Sequence, residues 1–347
     1  MMIYLFVLFY VFAIFAESLS YKRQNQLLLV ACVILALGAG FRSMIWPDTM
    51  VYVMGFNDYT TSIKEYSFSD QPFGYSEKGF YFIGVIVKTF TSDATIYLLA
   101  VSFLTFFFLF LDFKKYALYP FLGMCAYLAR FFTGRNLIQI RAGLAYAMII
   151  LGIRYITKRD WKRYFAIVFV AYWFHRSAII AVPLYFISYI NFKKWHVVFV
   201  TAIAFIIGGF FSELLQNYIV DTSQDLDIAT TYTQGAYIEQ ALGLKNPMIY
   251  FQTLILFAYT FYENRLKNIV PHYYTIRTAY MYSTFILIAF SMFTALSGRT
   301  STMFATLEFV IIPSLINMFE KRNRWLAYIG IGIVLTSIMY LNIDGRA

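Results

Sequence analysis

Apolar stretches long enough to cross a bilayer recur from one end of this chain to the other, and no other feature limits its fold as strongly. A spanning helix needs about 20 consecutive, mainly apolar residues. Hydrophobic segments fall at about residues 3–17, 27–45, 95–111, 117–133, 136–157, 164–190, 195–213, 248–262, 278–297, 300–319 and 325–342. Of the 347 residues, 61% are hydrophobic, 21% aromatic and 13% charged, more apolar surface than a soluble domain can hide. The expectation is an all-α, polytopic integral membrane protein, a single domain over residues 1–347 with about 10–12 transmembrane helices. The opening MMIYLFVLFY has no basic stretch ahead of it and no small-residue cleavage site after it, so it reads as a retained helix. Cys32 and Cys125 sit inside apolar segments and read as small hydrophobes, implying neither disulfide nor metal.

Lysine and arginine collect in cytoplasmic loops. Six short loops, YKRQ, DFKKY, TKRDWKR, NFKKWH, ENRLKN through TIR, and EKRNR, hold 16 of the 28 basic residues. Placing all six inside has two consequences. The run GFYFIGVIVKTF, residues 79–90, would upset the alternation if it crossed, so it reads as a re-entrant or surface-lying helix. Segment 164–190 has basic loops at both ends and therefore reads as two short helices meeting at the outer face, with a turn near YWFHRSA. That turn places His175 and Arg176 at a helix break, where membrane proteins tolerate unwound backbone only if it is packed in protein or lines a wet cavity.

Outside those loops, the basic residues at or near outer helix ends are Arg42, Arg130, Arg135, Arg141, Arg176 and Arg299, whereas lysine occurs there only in longer loops. Each alone is compatible with a snorkelling side chain. Together on one face they suit an anionic ligand, because a planar guanidinium stays charged and binds phosphate through two parallel hydrogen bonds. Two long outer loops, about 46–78 and 214–247, are acidic and rich in Tyr, Asn, Gln, Ser and Thr, a composition compatible with sugar recognition. In the first, Asp48 and Glu77 are placed to hold an arginine or contact substrate hydroxyls. Phosphate-binding Gly loops, HExxH and paired-cysteine metal sites are not found in the sequence, nor is a DxD-like pair at a membrane edge that would suggest a metal and a nucleotide sugar. The chemistry therefore reads as acting on an already activated substrate, with no cofactor or metal. The net charge of +10 is accounted for mainly by loops facing anionic lipid, so nucleic acid is not an expected partner.

Four stretches carry a family resemblance. FRSMIWPDTMVY resembles the "FR…G.D...Y" motif of bacterial exopolysaccharide and O-antigen polymerases of the Wzy class, in the EpsG-like branch. YSEKGFYFIGVIVK is similar to its "E.gf..l..l" segment, and residues 137–187 to its central block of "iRq.iA" helix, basic turn and "A..fH.sali..P". SGRTSTMFATLEFVIIPSL is similar to its late "R...Yf....ii.P" helix. Two positions depart: Pro47 stands where the family has glycine, and the aromatic residue after the late arginine has no clear counterpart.

The resemblance implies a metal-independent glycosyltransferase at the bacterial inner membrane with its active site facing the periplasm. Such an enzyme transfers a growing glycan from undecaprenyl diphosphate to a sugar hydroxyl of a new lipid-linked repeat unit. Implied partners are those repeat units, membrane lipid, a chain-length regulator and a flippase. Physical need then assigns roles: Arg141 and Arg299, with Arg135, Arg176 and Arg42 behind them, for the diphosphate; His175 as general base, with Asp48 or Glu77 in reserve. The alternatives are a lipid-linked glycan ligase, a polysaccharide flippase or transporter, and a membrane acyltransferase.

Overall fold

The computed structural model describes residues 2–68, 77–211 and 242–344. Most of the second long outer loop, and residues 69–76 of the first, lie outside the described residues. All regular elements among the described residues are helical. The main ones, in chain order, are α1 (Met2–Ala16), α2 (Tyr21–Gly40), α3 (Thr49–Tyr59), α4 (Lys78–Lys88), α5 (Ala94–Tyr116) and α6 (Pro120–Tyr127). A π-helical stretch (Leu128–Ile138) precedes α7 (Ile140–Leu151), α8 (Ile153–Thr157) and α9 (Trp161–Phe174). A 3-10 turn (Arg176–Ile180) leads into α10 (Ala181–Ile187) and α11 (Lys194–Phe210). Then follow α12 (Pro247–Phe261), α13 (Glu263–Leu266), α14 (Tyr273–Ala289), α15 (Thr294–Ala305), α16 (Glu308–Ser314) and α17 (Arg324–Asp344).

Four described helices, one of them α7 continued through α8, are long and apolar enough to cross a membrane by themselves, and several shorter apolar helices accompany them. At about 1.5 Å per residue, the 20 residues of α2 span about 30 Å, the thickness of a bilayer's hydrocarbon core. α2 starts six residues before the expected segment because Tyr21 through Gln26 continue the helix as its exposed, polar first turns. Its inner face, Cys32, Ala36, Ala39 and Gly40, is small and buried, and a Cβ on Gly40 would collide with Leu99 of α5. Small residues let two helices approach where no hydrophobic effect drives them together. Cys32 and Cys125 are both buried and free.

The chain forms two compact units, Met1–Val182 with Glu308–Ala347, and Pro183–Leu307. In the second, α14 carries Arg277, buried and donating to Glu263 Oε2 at 2.9 Å and to the Phe192 carbonyl. A polar seam joins α12, α14 and α15: Gln252 donates to Ser283 Oγ at 2.8 Å, and Ser283 donates to the Ser301 carbonyl at 2.6 Å.

Three features of the first unit differ from the sequence expectation or sharpen it. The outer loop expected at 46–78 contains a helix, α3, because Tyr52 and Phe56, four residues apart, bury one face of it. They join Phe80 and Val87 of α4 and Tyr97, Leu98 and Val101 of α5 in one apolar cluster, with Phe56 and Tyr97 stacked at 4.9 Å. α4 is 11 residues, about 16 Å, too short to cross, and buries Phe80, Tyr81 and Val85 while leaving Phe82 and Ile86 exposed. Segments 117–133 and 136–157 are not two plain helices: α6 runs into 11 residues of π-helix, and the chain turns at Gln139 (φ −90°, ψ 59°) before α7 begins. π-helix is rare and concentrates at functional sites.

Candidate functional site

The expected break in segment 164–190 falls at His175. α9 ends at Phe174, His175 is extended (φ −160°, ψ 122°), and the 3-10 turn starts at Arg176. His175 thus lies between helices rather than within one.

Glu77 stands immediately before α4, and the approach of α4 to α9 sets it against this break. Gly79 makes that approach possible, since a Cβ there would lie 2.7 Å from the Trp173 carbonyl oxygen. Glu77 Oε1 lies 3.0 Å from His175 Nδ1 and accepts from the Arg176 backbone N–H at 3.0 Å. Its Oε2 accepts from Arg141 Nη1 at 2.7 Å. Burial alone would push the Glu77 carboxyl up, but the His175 hydrogen bond, the Arg141 charge and the Arg176 N–H outweigh it and hold the group down at about 2. A carboxylate only accepts, so Nδ1 of neutral His175 carries the proton and Nε2 keeps its lone pair. Burial also holds His175 below its usual range, with Glu77 pulling the other way.

The arginines come from three further stretches. Arg42, just past α2, is 7% exposed; Nη1 donates to the Asn136 carbonyl at 2.8 Å. Its Nε and Nη2 are buried and have no hydrogen-bond partner among the described residues. Asn136 is fixed in turn by Tyr127, whose hydroxyl donates to Asn136 Oδ1 at 2.7 Å. Arg135, on the π-helical stretch, donates to Gln139 Oε1 at 2.8 Å and lies over the Tyr146 ring at 4.4 Å. Gly143 allows α7 to pack onto the Arg135 carbonyl, which any Cβ at that position would strike. Arg135 and Arg141 both act electrostatically on His175. Tyr97 lies close to Arg42 and Arg141, and Tyr52 beside Arg141.

Arg42, Arg135 and Arg141 are therefore buried at helix ends rather than snorkelling. Arg176 has an exposed side chain and contributes its backbone N–H. Asp48 is exposed at the start of α3, in the left-handed region (φ 64°), and makes no capping hydrogen bond. Arg130 pairs with fully buried Glu308 at 3.2 Å. Arg299 belongs to the second unit, on α15, where its carbonyl accepts from Thr302 Oγ1 at 2.9 Å.

The sequence reading did not single out Tyr97, Asn136, Gln139, Tyr146 or Ser177. Tyr146 and Ser177 bridge hydroxyl to hydroxyl at 2.6 Å, tying α7 to the turn after His175. Tyr97 and Tyr146 lie inside apolar stretches, where a tyrosine reads as an aromatic body. Tyr52 stands in FRSMIWPDTMVY and was visible only as part of that motif.

Fold and site together define an all-α polytopic membrane protein in which a carboxylate, a histidine and several buried arginines converge on broken helices. The chain belongs to the EpsG family, whose profile matches residues 25–345. Neither a search of curated proteins nor one of solved structures finds a match.

Proposed function

We propose that the protein is a polysaccharide polymerase. It transfers a growing glycan from undecaprenyl diphosphate to a sugar hydroxyl of a new lipid-linked repeat unit, at the outer leaflet of the inner membrane. The observation that carries this reading is the convergence of Glu77, His175, Arg42, Arg135 and Arg141 from distant stretches of one unit. Family membership supports polysaccharide work, and the positive-inside count supports an outward-facing site.

In the proposed reaction the anomeric C–O bond to the diphosphate breaks, and its electron pair leaves with the diphosphate. Preorganised guanidinium groups in a partly dry site stabilise that charge. Arg42 supports this role, since its Nε and Nη2 are buried and have no hydrogen-bond partner among the described residues. The acceptor hydroxyl oxygen forms the new bond to the anomeric carbon, and its proton passes to His175 Nε2. Glu77 is a positioning residue, holding the tautomer and orientation of His175 and stabilising its cation, as the carboxylate does in carboxylate–histidine catalysis generally. Asp48, exposed at the start of α3, stays in reserve.

The test is incubation of purified protein with a synthetic undecaprenyl-diphosphate repeat unit matching the source's polysaccharide. A ladder of elongated products supports a polymerase. No elongation by folded protein from a verified repeat unit overturns it, and transfer to a different acceptor identifies a ligase.

A further inference from the structure

Glu77 divides its carboxylate between two side chains with opposite duties. One oxygen holds the proposed base, His175, at 3.0 Å; the other holds a proposed anion-binding group, Arg141, at 2.7 Å. Both oxygens are engaged and Glu77 is 7% exposed, so water has little access to take over either bond. Arg141 is bound to Glu77 through Nη1, one of the nitrogens a phosphate would use. A phosphate oxygen and the Glu77 carboxylate therefore compete for the same donor.

We propose that Glu77 is an exchange point. A phosphate group that takes Arg141 leaves the carboxylate to His175 and the neutral Arg176 N–H, so that arrival of the lipid-diphosphate donor switches on the base. This rests on reading the arginines as a diphosphate site. With Arg141 on Glu77, the guanidinium offsets part of the carboxylate's charge and so part of what it can do to stabilise a proton on His175 Nε2. Once phosphate neutralises Arg141 instead, the full negative charge faces Nδ1–H, and the proton taken from the acceptor hydroxyl is better held. His175 is a weak base in the empty site and a stronger one beside bound donor. Coupling of this kind is reciprocal. Phosphate therefore binds more tightly when His175 is protonated; and because Glu77 competes with phosphate for Arg141, removing the Glu77 charge eases phosphate binding.

The probe is inorganic pyrophosphate, with the full-length protein in detergent. Histidine ¹⁵N resonances are titrated with pH, with and without pyrophosphate, and His175 is assigned against His196 and His272 with a His175→Asn variant. Equilibrium dialysis measures pyrophosphate binding on the same samples. The expected result is that pyrophosphate moves the His175 midpoint to higher pH in the wild type. In Glu77→Gln most of that movement is lost, while pyrophosphate binds about 5-fold tighter or more. The wild-type titration decides by itself if the variant fails to fold. Pyrophosphate that binds the wild type without moving the His175 midpoint overturns the exchange and leaves the diphosphate site standing. Equal movement in wild type and Glu77→Gln also overturns it, since the anion's own charge then accounts for the shift. No binding of pyrophosphate to the wild type overturns the exchange and the diphosphate site together.

Discussion

Glu77 Oε1 lies 3.0 Å from His175 Nδ1 across 98 residues of chain, with the Arg176 N–H on the same oxygen. A carboxylate fixed this way determines which histidine nitrogen is free. Glu77→Gln keeps shape but replaces the acceptor by an amide that can turn its NH₂ toward Nδ1 and invert the tautomer. General acid–base contributions run to about 10²–10⁴-fold. The expected outcome is loss of at least about 100-fold in turnover, with normal expression and a normal elution profile, measured as the rate of glycan elongation.

The two pH limbs of activity should separate. His175 lies in the break between helices, and burial holds it below the usual histidine range of about 6.5. kcat/KM reports the free enzyme and kcat the substrate complex. The acid limb of kcat/KM should therefore fall below pH 6.5, and the exchange at Glu77 should place that of kcat at higher pH. Initial rates across a pH series check this.

Glu77 also sets a pH dependence of stability. Its folded carboxyl sits at about 2, below the ordinary value of 4.5. A depressed carboxyl contributes stability that is present above the ordinary value and is lost as pH falls through the folded value. Between about pH 4.5 and pH 2, the wild type should lose thermal stability that Glu77→Gln does not lose. The difference between their melting curves isolates this group from other carboxylates.

Arg42 and Arg130 should respond in opposite ways to the same substitution. Arg130 neutralises fully buried Glu308, so Arg130→Met strands a buried charge and should cost about 3–5 kcal/mol of stability. Arg42 is 7% exposed, with Nε and Nη2 unpartnered among the described residues. Removing a buried cation that the described residues satisfy at only one of its three nitrogens costs little, so Arg42→Met should melt at or above the wild-type temperature. It should weaken pyrophosphate binding by roughly 10–100-fold, the worth of hydrogen bonds to a charged group. Thermal melts and dialysis on the two variants separate the ion pair from the anion site.

Gly79→Ala tests how Glu77 reaches His175. The new Cβ would lie 2.7 Å from the Trp173 carbonyl oxygen and 2.9 Å from its carbon, both backbone atoms that cannot swing aside. Overpacking of this kind costs about 1–3 kcal/mol. α4 should shift from α9 and activity should fall, although residue 79 touches no proposed ligand. The melting temperature and elongation rate of the variant check it.

The sequence pattern made the membrane class, the short helix α4 and the break at His175 legible, because hydropathy and charge asymmetry act along the chain. It could not show α3, whose buried Tyr52 and Phe56 look like ordinary loop aromatics until α4 and α5 supply the surface they cover. The π-helical stretch was hidden for a similar reason: a change from four- to five-residue hydrogen bonding leaves no mark on composition. Glu77 was visible as a carboxylate near a short helix, but its bond to Arg141 depends on backbone contact between α4 and α9, which only Gly79 foreshadows. In the sequence Arg299 and Arg141 stand on equal terms, since both lie against apolar sequence. Nothing in that pattern said that Arg299 would belong to a different compact unit.

The most direct test of the site is a single-turnover measurement of glycan transfer from a defined lipid-diphosphate donor to a lipid-linked acceptor, comparing wild type with His175→Ala at neutral pH. If the Glu77–His175 pair and its arginines are the active centre, transfer slows by about 10²-fold or more while donor binding is retained. Transfer at the wild-type rate by the His175→Ala variant would contradict the account.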